Sequence, residues 1–262
     1  MRKIAALALA LPVALTGLAG CGGSSGNDAS ASQSSGGSGQ LSGSITVFAA
    51  SSLTGAFNQI ATDFKKAHPG TNIVFQFGSS GDLATSITQG GSADVFASAS
   101  PTNMQSVLKA GDATTSTNFV SNTAEIATPP GNPKHITGLA DLAKVKVALC
   151  VPTAPCGALA QQLFQKAGVS VTPAASEPDV KTTLAVVQSG EVDAGIVYVT
   201  DVKAAGDKVT GVEIPTDQNG TTEYPIATLS GSKNKDLANA FVSYVESSDG
   251  QKVLAAAGFS AP

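Results

Sequence analysis

Apolar positions along this chain recur at two spacings that take turns. Residues 44–50 (SITVFAA) form an apolar, β-branched run suited to a strand buried on both faces. Leu53, Ala56, Phe57, Ile60 and Phe64 then keep helical spacing, and His68-Pro69-Gly70 predicts where that helix stops. Residues 71–77 predict a second strand. Leu83, Ala84 and Ile87 predict a short helix ended by Gly90-Gly91, and residues 94–98 a third strand followed by a helix carrying Met104, Val107 and Leu108. A stretch rich in Pro and Gly, residues 122–135, interrupts the pattern and predicts a passage to a second lobe. Beyond it come a strand at 146–149, helices marked by Leu159, Leu163 and Phe164 and by Val180, Leu184 and Val187, and a strand at 194–198. Leu237, Phe241, Tyr244 and Val245, then Val253 and Leu254, predict a helical C-terminus. Alternation of this kind predicts an α/β fold built on parallel sheets.

The first 41 residues follow a different rule. Arg2 and Lys3 precede an apolar run over residues 4–19, broken by Pro12 and short for a membrane-spanning helix, which needs about 20 apolar residues. A basic start, a short apolar stretch and small residues before a cleavage point describe a signal peptide, residues 1–20. Leu18-Ala19-Gly20-Cys21 resembles the lipobox of bacterial lipoproteins, which implies cleavage before Cys21 and a diacylglycerol on its thiol. The alternative is an ordinary secreted protein in which Cys21 is incidental. Residues 22–40, almost all Gly, Ser, Ala, Asn, Asp and Gln, have the composition of a flexible coil. Residues 21–41 thus read as a lipidated Cys and a tether that lets a folded body stand off the outer face of the cytoplasmic membrane.

Composition narrows the function classes. The 262 residues are 42% hydrophobic and 13% charged, enough apolar content for a sizeable core and too much for a chain disordered throughout. Loss of residues 1–20 leaves 13 Lys and Arg against 19 Asp and Glu, a formal charge of −6 with no basic block, so nucleic acid is excluded as a partner. Two His in the whole chain leave little equipment for catalysis or cation binding.

The informative positions lie where strands turn into helices. Ala49-Ala50-Ser51-Ser52-Leu53, Phe77-Gly78-Ser79-Ser80-Gly81-Asp82-Leu83, Val151-Pro152-Thr153-Ala154-Pro155-Cys156-Gly157 and Ser176-Glu177-Pro178-Asp179-Val180 all place small, hydroxylic or Pro residues before an apolar helical run. Backbone N–H groups at a helix start have no partner inside the helix, and the macrodipole adds partial positive charge. At any single junction Ser and Asp serve as ordinary N-caps. Parallel α/β sheets gather such starts at one edge, where several together form an anion site of neutral donors. No Gly-x-x-x-x-Gly-Lys-Ser/Thr phosphate loop occurs. A donor-only site suits a fully ionised oxyanion, whereas hydrogen phosphate brings a proton that needs an acceptor, at a cost of about 1–3 kcal/mol if none is met. Asp82 and Asp179 are the acceptors that would relax this exclusion, and each also fits the first turn of a helix as a favourable carboxylate.

At these junctions the chain resembles the molybdate-binding proteins of the bacterial ABC molybdate importer. The resemblance is carried by Ile45-Thr-Val-Phe-Ala-Ala-Ser-Ser-Leu53, Phe77-Gly-Ser-Ser-Gly-Asp-Leu-Ala84 and Gly91-Ser-Ala-Asp-Val-Phe-Ala-Ser-Ala99, then Pro155-Cys-Gly157, Asp179-Val180, Gly195-Ile-Val-Tyr198 and Glu223-Tyr-Pro225. It implies a class II periplasmic-binding-protein fold, two α/β lobes joined by two hinge crossings, here 42–121 plus 224–262 and 122–223. It also implies no cofactor, no direct cation ligands, and molybdate or tungstate held as an oxyanion between the lobes of a monomer. The partners it implies are a membrane permease and its cytoplasmic ATPase. Carried over by residue, Ser52 and Ser80 would donate hydroxyl and backbone N–H, Cys156 and Val180 backbone N–H, and Tyr198 its phenol. Cys156 stands where the family often has Ala. For Tyr198 the plainer role is an interior phenol at a strand end; Ser51 and Ser79 would shape the loops, and Asp94 would tie strand to loop. Sulfate or another tetrahedral oxyanion is the neighbouring alternative.

With Cys21 assigned to lipid, Cys150 and Cys156 remain. Outside the cytoplasm such a pair reads as a disulfide, the alternative being two buried thiols. A disulfide would remove thiolate charge from the site and stiffen the loop presenting the Cys156 N–H. An extracytoplasmic Ser-dependent hydrolase is the distant alternative. Gly78-Ser79-Ser80-Gly81 departs from Gly-x-Ser-x-Gly, and the available bases, His68 and His135, sit in predicted loops.

Overall fold

The computed structural model describes residues 40–262. The predicted signal peptide, Cys21 and the tether up to residue 39 lie outside the described residues. The first strand, β1 (Gly43–Ala50), leads through a 3-10 turn at Ser51–Leu53 into α1 (Thr54–Ala67). β2 (Thr71–Gly78), α2 (Ser80–Thr88), β3 (Val95–Ala97) and α3 (Pro101–Ala110) complete a first set of βα units. A twelve-residue strand, β4 (Thr117–Thr128), follows. The second set comprises β5 (Val147–Cys150), α4 (Pro155–Ala167), β6 (Ala175–Glu177), α5 (Val180–Ser189), β7 (Ala194–Tyr198), α6 (Val199–Ala205) and β8 (Thr210–Val212). The chain then returns as β9 (Thr221–Thr228) and ends in α7 (Lys235–Glu246) and α8 (Ser248–Ala257).

The nine strands of the described residues form one sheet: eight follow the order β2-β1-β3-β9-β4-β7-β5-β6, and β8 lies off this path, paired to β4. The expectation of parallel sheets holds for the flanks: β1 is parallel to β2 and β3, and β5 to β6 and β7. The centre differs. β4 is antiparallel to β9 and β7, and β3 to β9. A chain that crosses from one set of units to the other and later returns must run in opposite directions on the two crossings, so the crossing strands pair antiparallel. Residues 122–128 belong to β4, so the expected irregular passage at 122–135 begins inside a strand; Pro129, Pro133 and the Gly residues lie beyond it. β9 carries Pro225 within a central strand. Its carbonyl accepts from the Ser98 N–H at 2.9 Å, so the missing N–H falls on that same edge, just past the end of β3, where the ladder to β3 has already ended.

Buried apolar side chains divide at these crossings. Two clusters, drawn from residues between Ile45 and Val120 and between Tyr224 and Phe259, make up one body, and a third, from residues between Ala124 and Ile214, makes up the other. Helix amphipathicity explains the packing: Ala56, Phe57, Ile60 and Phe64 form the buried stripe of α1, and Leu159, Ala160, Leu163 and Phe164 that of α4.

Candidate anion-binding site

The strand-to-helix junctions of both bodies converge on one small cavity, with room for about one water-sized particle or small ion. Ala50, Ser51 and Ser52 after β1, Gly78 to Ser80 after β2, and Ala99 after β3 form one wall. Ala154 to Cys156 at the start of α4, Asp179 and Val180 at the start of α5, and Tyr198 at the end of β7 form the other. Ser52, Ser80, Cys156, Val180 and Tyr198 are thus brought together, although they are spread over 147 positions of sequence. All five are buried.

Local sequence accounts for each placement. Ser80 is the first residue of α2 and Val180 of α5, so neither backbone N–H has an acceptor inside its own helix. Cys156 follows Pro155, which occupies the first position of α4 with no N–H to lose. Gly157 lets this loop close: a Cβ there would lie 2.1 Å from the Val151 carbonyl oxygen and 2.6 Å from that of Cys150. Cys150 and Cys156 are joined in a disulfide, Cα atoms 5.8 Å apart, which ties the end of β5 to the start of α4. Gly81 likewise permits contact between the walls, since its Cβ would meet the Thr153 carbonyl oxygen at 2.7 Å.

Hydrogen bonds set what each side chain can offer. Ser80 Oγ accepts from the Ala99 N–H at 2.9 Å, and a backbone N–H can only donate, so the Ser80 proton is left to point elsewhere. Ser52 Oγ lies 2.9 Å from Tyr224 Oη. The Tyr198 hydroxyl is fully buried and has no hydrogen-bond partner among the described residues. An unmet buried hydroxyl costs about 1–3 kcal/mol, so its position beside the cavity points to a ligand that accepts from it. Burial, followed by the neighbouring Tyr224 and Asp201, holds this phenol well above the ordinary tyrosine value, so it remains a protonated donor. Beneath it Asp201 is buried and accepts from the Tyr198 N–H at 3.2 Å through Oδ2. Its Oδ1 lies 2.9 Å from Lys181 Nζ in a charge contact without hydrogen-bond alignment. Burial raises the Asp201 carboxyl above its usual value, and Lys181 opposes that shift.

Charge is nearly absent from the walls. No Lys, Arg or His is among the described residues that line the cavity, and Asp179 is the one carboxylate. Asp179 Oδ1 accepts from the Lys181 and Thr182 N–H groups as the N-cap of α5, and Oδ2 is the acceptor that this carboxylate has left on the wall. Asp82 lies in the first turn of α2 and is not among the lining residues. Asp94 accepts from Thr46 N–H and Ser232 Oγ, well away from the cavity, and ties the start of β3 to its neighbours. His68 packs on Phe64 and His135 is exposed in a loop with positive φ; neither reaches Ser80. Two residues that sequence reasoning did not single out as functional, Asn122 and Tyr224, stand directly behind the site. Glu223-Tyr224-Pro225 was visible as a motif, yet nothing in its spacing tied it to Ser52.

The family model for bacterial extracellular solute-binding proteins matches residues 45–260. This chain is a bacterial extracellular solute-binding protein. The molybdate-binding protein ModA of Mycobacterium tuberculosis is 40% identical to it over 251 residues, 95% of this chain and 94% of that protein. The periplasmic molybdate-binding protein of Azotobacter vinelandii superposes with a TM-score of 0.74 at 19% identity, covering 83% of this chain and 99% of that one. The sulfate-binding protein SubI of M. tuberculosis superposes with a TM-score of 0.72 at 21% identity, covering 82% and 86%. These likenesses place the solute-binding protein in the periplasmic-binding-protein fold, and the relatives named here are binding proteins rather than enzymes. Among the described residues no helix is long and apolar enough to cross a membrane.

Proposed function

We propose that this solute-binding protein captures molybdate, and tungstate with it, for an ABC importer. The observation that carries the reading is the unpartnered, buried Tyr198 hydroxyl on a small cavity walled by N–H and O–H donors without a cation. Ser52 and Ser80 give hydroxyl and N–H, Cys156 and Val180 give N–H, and Tyr198 gives its phenol. Helix starts at α2, α4 and α5 add partial positive charge around a dianion. Identity of 40% to a molybdate-binding protein over nearly the whole chain supports the choice of ligand.

In this reading the two cores are two lobes, 42–121 plus 224–262 and 122–223, that close on the ion about β4 and β9. The protein works as a monomer, tethered outside the cytoplasmic membrane through acylated Cys21, and hands its ion to a permease driven by a cytoplasmic ATPase. Sulfate is the second reading, because a sulfate-binding protein shares the fold almost as closely as a molybdate-binding one. Isothermal titration of the full chain with molybdate, tungstate, sulfate and phosphate tests both. Tight molybdate and tungstate binding is expected; tight sulfate or phosphate binding without molybdate binding would overturn the assignment.

A further inference from the structure

Behind Ser52 runs a chain of buried hydrogen bonds whose directions follow from its far end. The Asn122 side-chain oxygen accepts from the Thr123 backbone N–H at 3.1 Å, which fixes the orientation of the amide. Its Nδ2 therefore faces away from that N–H, donating to Thr200 Oγ1 at 2.8 Å and, over a long 3.5 Å, to Tyr224 Oη. An amide nitrogen cannot accept. The Tyr224 proton is thus turned from Asn122 toward Ser52 Oγ, 2.9 Å away. Ser52 then accepts from Tyr224, and its own proton is left for the cavity it lines.

We propose that Asn122 and Tyr224 are positioning residues that impose this proton order and thereby make Ser52 a donor toward the bound ion. The proposal rests on the oxyanion reading given above. It gives Ser52 the polarity that the Ala99 N–H imposes on Ser80, so both hydroxyls of that wall turn their protons toward the ion, each with one lone pair already taken from behind. The relay also spans the molecule: Thr200 belongs to α6 on one body, Asn122 to the crossing strand, and Tyr224 and Ser52 to the other body.

Reversing the far end tests it. In Asn122→Asp an acceptor replaces Nδ2, so Tyr224 can donate to the carboxylate, Ser52 to Tyr224, and Ser52 Oγ can accept from a ligand. The added charge repels molybdate, sulfate and hydrogen phosphate alike when all three are dianions, so the readout is a ratio of affinities at pH 8, measured by calorimetry on the full chain. The molybdate-over-phosphate preference is expected to fall by about tenfold or more, the worth of one hydrogen bond to a charged group. The molybdate-over-sulfate preference should stay unchanged, and adding Tyr224→Phe should abolish the switch. Equal weakening toward all three ions would overturn the proposal. If Asn122→Asp does not melt cooperatively, Tyr224→Phe decides. It should weaken molybdate about tenfold in the unsubstituted chain and not at all in a Ser52→Ala background; an equal loss in both backgrounds overturns the relay. Failure of the unsubstituted chain to bind molybdate would overturn the reading of the site and this proposal with it, whereas normal binding with an unmoved ratio overturns the proposal alone.

Discussion

The two walls of the cavity offer the same chemistry by different means. The wall built by β1, β2 and β3 presents serine hydroxyls, each held from behind by a donor that takes up a lone pair. The opposite wall presents backbone N–H groups at the starts of α4 and α5, plus one phenol with nothing behind its hydroxyl. Their supports differ too. The body behind the serines buries eight aromatic side chains among the described residues, and the other buries two, Phe164 and Tyr198, and carries the disulfide. A wall that donates through side chains is open to point substitution. A wall that donates through backbone is sensitive to whatever holds its loops.

Substitutions can separate the two. Ser80→Ala should have the largest effect, because it removes a donor from the cavity and leaves the Ala99 N–H buried without its acceptor. Molybdate affinity is expected to drop by about 10- to 100-fold in calorimetry, and the ion-free protein to lose about 1–3 kcal/mol in a denaturant melt. Tyr198→Phe should lower affinity by a similar ~10- to 100-fold but leave the ion-free protein as stable or more so, since the lost hydroxyl had no partner. Loss of stability on that substitution would show that the phenol serves the fold. Its raised pKa also has a sign to check. Above about pH 10 an unfolded tyrosine ionises while folded Tyr198 keeps its proton, so stability falls as pH rises there. Tyr198→Phe should make that fall shallower.

The backbone wall should respond differently. Reducing the Cys150–Cys156 disulfide, which closes a separation of six residues, is expected to cost about 2 kcal/mol of stability. The Cys156 side chain gives nothing to the ion in this reading, so affinity should fall only about two- to fivefold, which would set it well below either hydroxyl. Asp179→Ala comes last: loss of the α5 N-cap should cost about 1 kcal/mol in thermal or denaturant melts. A rise in phosphate affinity on that change would be the wrong sign for a cap and would contradict its placement.

Much of this was legible in the chain. Helical spacing located α1, α4, α5 and α7, and short apolar runs located β1, β2, β3, β5 and β7, because those signals repeat within a few residues. The junctions that hold Ser52, Ser80, Cys156 and Val180 stood out as helix starts, and strand-to-helix order predicted that such starts share an edge. Which residues in them face the ion, Tyr198 included, was implied by the family resemblance. β4 and β9 were not predicted as strands. Their residues mix polar and apolar side chains, and β9 contains a Pro, which argues against a central strand when read from sequence.

What tertiary structure alone decided lies along those crossing strands. Ser52 meets Tyr224 across 172 positions of sequence, and Asn122 meets Tyr224 across 102. Periodicity carries no information over such distances; strand order and register do, and these are chosen by the packing of the whole sheet. The sequence by itself determined which groups are available at the helix starts. The antiparallel centre of the sheet determined what stands behind Ser52, and so which way its proton points.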